Sequence, residues 1–364
     1  MALDGISNAD LADLIATTTK NLPKMRLEHT FEYQHYEVLD RWFQRDKTMI
    51  GSGTSIQRNI ILDSSGNARH VRLYQETTVN VVDLQSQLDV PWRQAKTQWS
   101  VDRREAKRNS APSAFVGLVK GRRDEAMISL ADLLEERAWQ SPDDSSDDLN
   151  PYGIPYYIPK LASGAGEGFY GGSDTNFAAT TAGIDPATSG DNTTSIAGGK
   201  PKWRSYCAGG TGYYESINAT ALRTLLLMFL KINFQSPFVV KDLTKGPKSN
   251  YRIYCNAETY VAFVELARQQ NDQIGADLAR YNGLVVFNRV PIIHIPYLDN
   301  DSTADPIYLV NHNMFMPFVQ KGEYFRESEP MNDRHMPDVH TTFVDLSYNF
   351  LCLNRRRQGV MNKI

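Results

Sequence analysis

The chain has 364 residues, room for roughly two or three domains, and a formal charge of −3, which does not indicate a nucleic-acid-binding protein. Its three cysteines are far apart and odd in number, which excludes a disulfide framework and a zinc pattern. It shows no secretion signal and no apolar run long enough to cross a bilayer, so we expect a soluble protein made inside a cell.

The first predicted elements are a short helix and a β-hairpin. Ser7 and Asp10 resemble a capping box, and they predict an N-terminal arm that docks elsewhere or, equally, a frayed terminus. Two β-rich runs, residues 54–62 and 68–82, flank the turn residues 63–67 and predict a long hairpin. Because these strands carry too few apolar residues for a core, we expect the hairpin to lie on another subunit.

A basic segment follows, from Lys96 to Lys107, with Trp92 and Trp99 close by. Basic residues interleaved with aromatic residues can bind single-stranded nucleic acid. We favour a solvated connecting surface whose charges pair with acidic neighbours.

The longest predicted element is a helix from Pro112 to Trp139, about 42 Å long at 1.5 Å per residue. Arg123 and Arg137 project onto its apolar stripe, so each needs a carboxylate partner or an exposed seam. The stripe itself consists of residues at helical spacing: Phe115, Val119, Ala126, Leu130, Leu133 and Ala138.

Two polar stretches follow the helix. The first is acidic, and its spacing does not match a calcium loop, so we expect a surface loop: Asp143, Asp144, Asp147 and Asp148. The second, residues 163–212, is rich in small residues and has no core pattern, which predicts an insertion or a loop ordered by partners. Its G-x-G-x-x-G match has no preceding strand and no following helix, so it predicts no phosphate site.

From Ser216 the chain is typical of a separate α/β unit. A helix over residues 219–233 is followed by strand 251–255, and Asn256 is the expected N-cap of the next helix. We expect the first helix to point these side chains inward: Leu222, Leu225, Leu226, Phe229 and Leu230. Short apolar strands then lead to a long alternating strand, whose predicted core face is Thr342, Val344, Leu346, Tyr348, Phe350 and Cys352.

The sequence contains no familiar catalytic motif. The best metal candidate is a group of four ligand-type residues in a Pro-containing connection: Asp333, His335, Asp338 and His340. His294 stands on an apolar strand, where we expect a hydrogen-bonded core histidine. Cys207 has no histidine nearby in the sequence to activate it. We therefore expect no enzyme and no metal, and we keep a metal-dependent α/β enzyme as the least favoured hypothesis.

The order of these elements resembles that of the major capsid proteins of tailed bacteriophages, from about residue 25 to 357. The most specific stretches are YRIYCNAETYVAFVELARQ, YNGLVVFNRVPIIHIPYL, IYLVNHNMFMPFVQKGEYFRES and FVDLSYNFLCLNRRRQ. The resemblance implies an α+β fold with a long spine helix, an extended β-hairpin loop and an α/β apical domain. In this fold the terminal strand would pack under the spine helix, with Val344, Leu346 and Phe350 against Leu130 and Leu133.

The resemblance also implies a division of the chain. The expected parts are an N-terminal arm (1–29), an extended loop (30–100), a peripheral domain with the spine helix (101–165), a Gly-rich insertion or loop (166–212), an apical domain (213–328) and a return to the peripheral domain (329–364). Candidate assembly residues under this reading are Arg58, Asp63, Ser64, Gly66, Arg72, Arg123 and Arg137.

The implied function is self-assembly into the hexamers and pentamers of an icosahedral head that encloses double-stranded DNA. Implied partners are further copies of the chain, a portal protein, possible decoration proteins and the packaged DNA, bound non-specifically, with no membrane and no cofactor. A separate scaffolding protein is implied because no scaffolding region precedes the arm. The expected location is the virion, after assembly in the host cytoplasm. The alternative is an encapsulin-like compartment that encloses a cargo enzyme.

Overall fold

The structure, a computed structural model, describes most of the chain. The described residues are 32–62, 67–76, 85–108, 112–144, 146–161, 166–170, 182–184, 202–209, 217–234, 250–270, 280–281, 284–301, 304–332 and 338–363. The predicted N-terminal arm lies outside them, as do most of the Gly-rich residues. None of the described helices is both long enough and apolar enough to span a membrane.

The described residues form both helices and strands. The helices are α1 (Val38–Asp46, of the π type), α2 (Arg103–Arg108), α3 (Pro112–Ala138), α4 (Ile154–Tyr157), α5 (Ala219–Ile232) and α6 (Ala257–Gln270). The strands are β1 (Thr48–Ile50), β2 (Ser55–Ile61), β3 (Gln85–Pro91), β4 (Arg93–Asp102), β5 (Gly168–Tyr170), β6 (Ser205–Gly209), β7 (Tyr251–Cys255), β8 (Arg280–Tyr281), β9 (Leu284–Phe287), β10 (Val290–His294), β11 (Ile307–Asn311), β12 (Phe315–Gln320), β13 (Arg326–Glu327), β14 (Met331–Asn332), β15 (Val339–Cys352) and β16 (Gly359–Asn362). Short 3-10 turns occupy Pro296–Asn300 and Arg355–Arg357.

The first sheet is built around the long strand β15. It has the order β1-β12-β15-β13, and β14 and β4 also pair with β15. β4 and β15 run antiparallel in register from Val339 opposite Asp102 to Tyr348 opposite Arg93. The basic segment 96–107 was predicted to be a solvated surface whose charges pair with acidic neighbours, and it forms most of β4 and of α2. Within it, Lys96 forms an ion pair with Asp345 of β15.

The predicted spine helix is α3, which packs on β4 and α1. Ala126, Leu130 and Ala138 are buried, as predicted. The buried stripe continues through Leu134 rather than Leu133, which is half-buried. The reason is geometric: residues four apart form the row that faces the sheet, and 126, 130, 134 and 138 follow that row.

The second sheet separates two hydrophobic cores. Its order is β5-β6-β16-β11-β7-β10-β9-β8. Ile253 and Leu309 point into the second core beneath α5 and α6, whereas Tyr254 and Val310 point into the main core with the first sheet. This alternation follows from the period of two along a strand. Both faces of the second sheet are therefore covered.

Sheet membership does not follow the expected division of the chain at residues 213 and 328. β12 belongs to the first sheet, where it pairs with β15. β16 lies between β6 and β11 in the second sheet, so the last described strand returns there. Arg355 is fully buried at this return, where its guanidinium donates to the carbonyl oxygens of Tyr157 and Trp203.

The hairpin is present, but its second strand was predicted in the wrong place. β2 pairs with β3, from Ser55 opposite Pro91 to Ile61 opposite Gln85. Residues 68–76, part of the predicted second strand, form no strand and are exposed. The hairpin was expected to lie on another subunit and to make few apolar contacts in its own, but its base packs in the main core of its own subunit. Three of its side chains are fully buried in the main core: Ile56, Leu88 and Val90. Because a shift of one residue would turn a strand's side chains to the other face, their burial fixes this register.

Other predicted faces also need correction. In α5, Leu222, Leu225 and Phe229 are buried as predicted. Leu226 and Leu230 are exposed instead, because apolar residues occupy most positions of this helix and periodicity did not identify its core stripe. In β15, Asn349 was predicted to face away from the core, but it is buried. Its side-chain amide donates to the Pro91 carbonyl over 2.7 Å, and its oxygen accepts from the Tyr152 N–H over 2.8 Å.

The expectation that residues 163–212 lack a core pattern is wrong for the described part. Trp203, Tyr206 and Ala208 are buried around β6, and Phe169 is fully buried in β5. These short strands extend the second sheet at its edge next to β16. The remainder of the Gly-rich stretch, apart from 166–167, 182–184 and 202–204, lies outside the described residues.

Candidate assembly surfaces

The connection between β2 and β3 is described in part, at residues 67–76. We call its described residues 67–76 the ribbon extension, and all of them are exposed. Tyr74 is 100% exposed, Leu73 is 87% exposed and Val71 is 57% exposed. A turn holds this segment, because the N–H of Arg72 donates to the Gln75 side chain over 2.9 Å. Apolar side chains grouped on an exposed segment are typical of a surface that another molecule covers.

The base of the hairpin is fixed within its own subunit. Trp92 donates its indole N–H to the Gly53 carbonyl over 3.0 Å. The guanidinium of Arg58, a predicted assembly residue, lies over the Phe318 ring at 5.5 Å from its centroid. Arg58 therefore links the hairpin to β12 of the first sheet. The base of the hairpin is therefore anchored to its own subunit, whereas the ribbon extension is exposed.

The other predicted assembly residues are spread over the molecule. Arg123, exposed on α3, forms an ion pair with Glu327 of β13. Arg137 is half-buried near the end of α3 and donates to Gln140 over 2.8 Å. Arg72 lies in the ribbon extension, and these arginines form no common site. Asp63, Ser64 and Gly66 lie outside the described residues.

A cleft of about 590 Å³ opens beside the end of α3. Arg137, Tyr297 and Lys160 are among its lining residues. Its polar groups largely satisfy one another, because Lys160 forms an ion pair with Asp301 and Gln140 donates to Tyr297. The cleft thus contains paired polar groups.

A buried polar cluster joins the start of α1, the spine helix and the second sheet. Glu135 of α3 is fully buried, and its carboxylate accepts from the Val38 N–H over 2.9 Å and the Trp139 indole over 3.1 Å. Burial raises the pKa of Glu135 to about 7. The cluster therefore contains a carboxyl group that titrates near neutral pH.

Glu37 and Tyr254 extend this cluster to the second sheet. The Tyr254 hydroxyl donates to Glu37 over 3.1 Å and lies 2.7 Å from Nε2 of His312. Burial lowers the pKa of His312 to about 3, so its ring is neutral at physiological pH. The aromatic ring of Trp42 packs against His312. Sequence reasoning missed this cluster because its members are far apart along the chain; the signal is the acidic and aromatic mixture of residues 35–43.

The residues proposed for catalysis or metal binding are engaged elsewhere or outside the described part. Asp338 forms ion pairs with Arg103 at 3.0 Å and Arg104 at 3.2 Å, and His340 is exposed on β15. Asp333 and His335 lie outside the described residues. Among the described residues, no three histidine, cysteine or acidic side chains form a metal-binding group.

Two single residues also lack the setting of a reactive group. His294 was expected in the core, but its side chain is 26% exposed and pairs with Asp299 at 3.0 Å. This expectation was wrong about burial, although the ring is hydrogen-bonded. Cys207 is fully buried, and burial raises the pKa of its thiol to about 12, which suppresses the thiolate.

Neither a protein-family model nor a curated protein sequence matches the chain. Solved structures do. The capsid asymmetric unit of cyanophage A-1(L) is 14% identical with a TM-score of 0.62, over 94% of this chain and 96% of that one. The capsid of the myovirus XM1 is 11% identical with a TM-score of 0.52, over 99% of both chains. The SrpI encapsulin of Synechococcus elongatus PCC 7942 is 11% identical with a TM-score of 0.51, over 98% of this chain and 95% of that one.

These similarities extend over nearly the full length of both chains in each comparison. At this level of identity they establish the fold. The chain has the α+β fold of phage capsid proteins, which the encapsulin also has, and the predicted fold class is confirmed.

Proposed function

We propose that this chain is the major capsid protein of a tailed phage, whose copies assemble into hexamers and pentamers of an icosahedral head enclosing double-stranded DNA. The observation that carries the proposal is the full-length similarity to a cyanophage capsid subunit, over 94% of this chain and 96% of that one. An unrelated protein that shared only one sheet would not match over the whole chain.

In this proposal the first sheet and α3 form the peripheral domain, and the second sheet with α5 and α6 forms the apical domain. The hairpin is the extended loop. Its buried base and exposed extension have different roles: Ile56, Leu88 and Val90 belong to the subunit, whereas Leu73 and Tyr74 are available to a neighbour. Covering these exposed side chains on a neighbouring copy supplies apolar burial repeated around each symmetric ring.

The protein acts by assembly rather than catalysis in this proposal. Its mechanism is the repetition of modest contacts in closed rings, which makes a shell more stable than any pair of subunits. We propose a separate scaffolding protein, a portal protein and possible decoration proteins as partners. The near-neutral chain, at −3 formal charge, would tolerate packaged DNA without binding it in register. The protein would assemble in the host cytoplasm and remain in the virion.

Expression of the full chain, alone and with proteins encoded beside it, tests the proposal. Electron microscopy of the purified material should show closed shells with five-fold and six-fold rings. Particles from infected cells should protect double-stranded DNA from added nuclease, and particles opened by chelator or heat should lose that protection. A chain that stays monomeric under all these conditions contradicts the proposal.

An encapsulin-like compartment is the second candidate, because the encapsulin SrpI matches over 98% of this chain. Such a shell would enclose a cargo enzyme and no genome. Purified particles separate the two candidates. Nuclease-resistant double-stranded DNA supports the capsid, whereas one abundant co-purified protein inside DNA-free particles supports the compartment.

A further inference from the structure

Helix α5 exposes three leucines on one side. Leu226 is 44% exposed, Leu227 is 41% exposed and Leu230 is 69% exposed. Their spacing of three and four residues places them on one stripe of the helix. The opposite stripe, with Leu225 and Phe229, already fixes the helix to the second core. The exposed leucines are therefore not needed to hold α5 in place, and a cluster of this kind is typical of a contact surface.

Basic residues bracket these leucines. Arg223 is exposed one turn before them, and the half-buried Lys231 directly follows Leu230. α5 contains no acidic residue, so its exposed surface is apolar and basic. The two cations are eight residues apart, about 12 Å along the helix.

Helix α6 carries the complementary pattern. Val261 is 53% exposed, and it lies between the exposed residues Glu258 and Glu265. Among positions 257–266 of α6, whose side chains the structure describes, these two glutamates are the charged residues. They are seven residues apart, about 10.5 Å along the helix. The two helices therefore present opposite charges at similar spacing around an apolar centre.

We propose that the α5 surface of one copy (Arg223, Leu226, Leu227, Leu230 and Lys231) packs against the α6 surface of a second copy (Glu258, Val261 and Glu265). This inference rests on the proposed function, because a shell requires repeated contacts between copies. Charge repulsion disfavours pairing of either surface with itself. Two α5 surfaces would bring cations together, and two α6 surfaces would bring carboxylates together. The second copy therefore contributes the other helix.

Site-directed cross-linking tests the contact on assembled particles of the full chain. Leu230→Cys and Val261→Cys are made in separate chains, which are mixed before assembly and treated with a short bismaleimide. The native cysteines, Cys207, Cys255 and Cys352, are buried and do not compete for the reagent. We expect a covalent dimer in the mixture at least fivefold above either variant alone.

The same experiment contains the outcomes that overturn the inference. A strong dimer from Leu230→Cys alone means that α5 packs on itself. Normal particles with no dimer in any sample mean that these surfaces do not meet, while the proposed function stands. Wild-type chain that forms no particles in any condition overturns the proposed function and this inference together.

Charge reversal provides a second, independent measurement. Arg223→Glu should reduce the fraction of chain in particles at least tenfold, and its unfolding midpoint should stay at the wild-type value because the side chain is exposed. Glu258→Lys or Glu265→Lys in the same chain should restore assembly, since the reversed charges again attract. Lys321→Glu, on an exposed residue outside both helices, is the matched control. If neither double variant assembles better than Arg223→Glu, the proposed pairing of α5 with α6 is wrong.

Discussion

The backbone N–H of Val38 donates to the carboxylate of Glu135 over 2.9 Å, and this bond joins α1 to the spine helix inside the main core. The other carboxylate oxygen accepts from the indole of Trp139. Both donors are neutral, so they compensate only part of the penalty for a buried negative charge. Burial is accordingly the main reason that the pKa of Glu135 is raised to about 7.

This relationship predicts a pH dependence of stability. The shift in the pKa of Glu135 from 4.5 to about 7 corresponds to at most about 3 kcal/mol of unfolding free energy. The folded state binds the proton of Glu135 more tightly than the unfolded state does. The stabilisation from this proton is therefore fully present below pH 4.5 and is lost as the pH rises through about 7. We expect Glu135→Gln to flatten the unfolding free energy between pH 4.5 and 7. Denaturant titrations across that range measure it.

The matched control for this prediction is Glu329→Gln, because Glu329 is exposed. That variant should keep the wild-type slope of unfolding free energy against pH. An unchanged slope in Glu135→Gln would mean that another group accounts for the pH dependence.

Periodic elements were predictable because their signal is repeated along many residues. The spine helix and the terminal strand are examples, and the Asn256 cap accepts from the Thr259 N–H over 2.9 Å as its sequence position indicates. The partner of β2 was not predictable by the same means. Two runs of residues could pair with it, and the choice depends on burial of Leu88 and Val90 against side chains distant in sequence.

The buried polar cluster between α1, the spine helix and the second sheet was missed for a related reason. Glu37, Glu135 and His312 meet only in three dimensions, and each taken alone resembles an ordinary surface residue. In α5 the difficulty was different: both stripes are apolar, so hydrophobic periodicity indicates a helix without indicating which stripe the subunit buries. The candidate assembly surfaces depend on these long-range arrangements, and that part of the structure was accordingly the least predictable.

The buried row of the spine helix predicts unequal effects for two adjacent leucines. Leu134 is fully buried in the main core, whereas Leu133 is only partly buried. Leu134→Ala should lower the unfolding free energy by about 2–5 kcal/mol, because it leaves a cavity. Leu133→Ala should cost clearly less. Denaturant unfolding of both variants measures the difference, and equal losses would show that the buried row is assigned incorrectly.

Gly209 at the end of β6 is predicted to tolerate no side chain. Its φ is +139°, and a Cβ there would lie 2.1 Å from the carbonyl oxygen of Asn362 in β16. Gly209→Ala should therefore lower the melting temperature strongly, because the paired strands must separate. Gly51→Ala is the control, since a Cβ at Gly51 meets no atom within 4 Å. Thermal unfolding followed by circular dichroism compares them, and equal melting temperatures would contradict the close approach.

The hairpin allows the fold and the proposed assembly to be separated experimentally. Ile61 and Gln85 are register partners, so replacing residues 63–84 by Asn-Gly can close the hairpin through a three-residue loop and remove the ribbon extension. This design keeps Leu62, which packs against the main core. We expect this variant to unfold at the wild-type denaturant midpoint, because the buried residues of β2 and β3 remain. Its fraction in closed particles should fall at least tenfold, measured by sedimentation and electron microscopy.

Two further variants complete this test. Leu73→Ser combined with Tyr74→Ser changes two exposed side chains and should reproduce the assembly defect without affecting stability. Ile56→Asp places a charge in the main core and should lower the unfolding free energy of the subunit by about several kcal/mol. If the shortened hairpin assembles normally, the ribbon extension is not a contact between copies. If it destabilises the subunit instead, the extension packs on its own chain, and the exposed leucine and tyrosine have an intramolecular role.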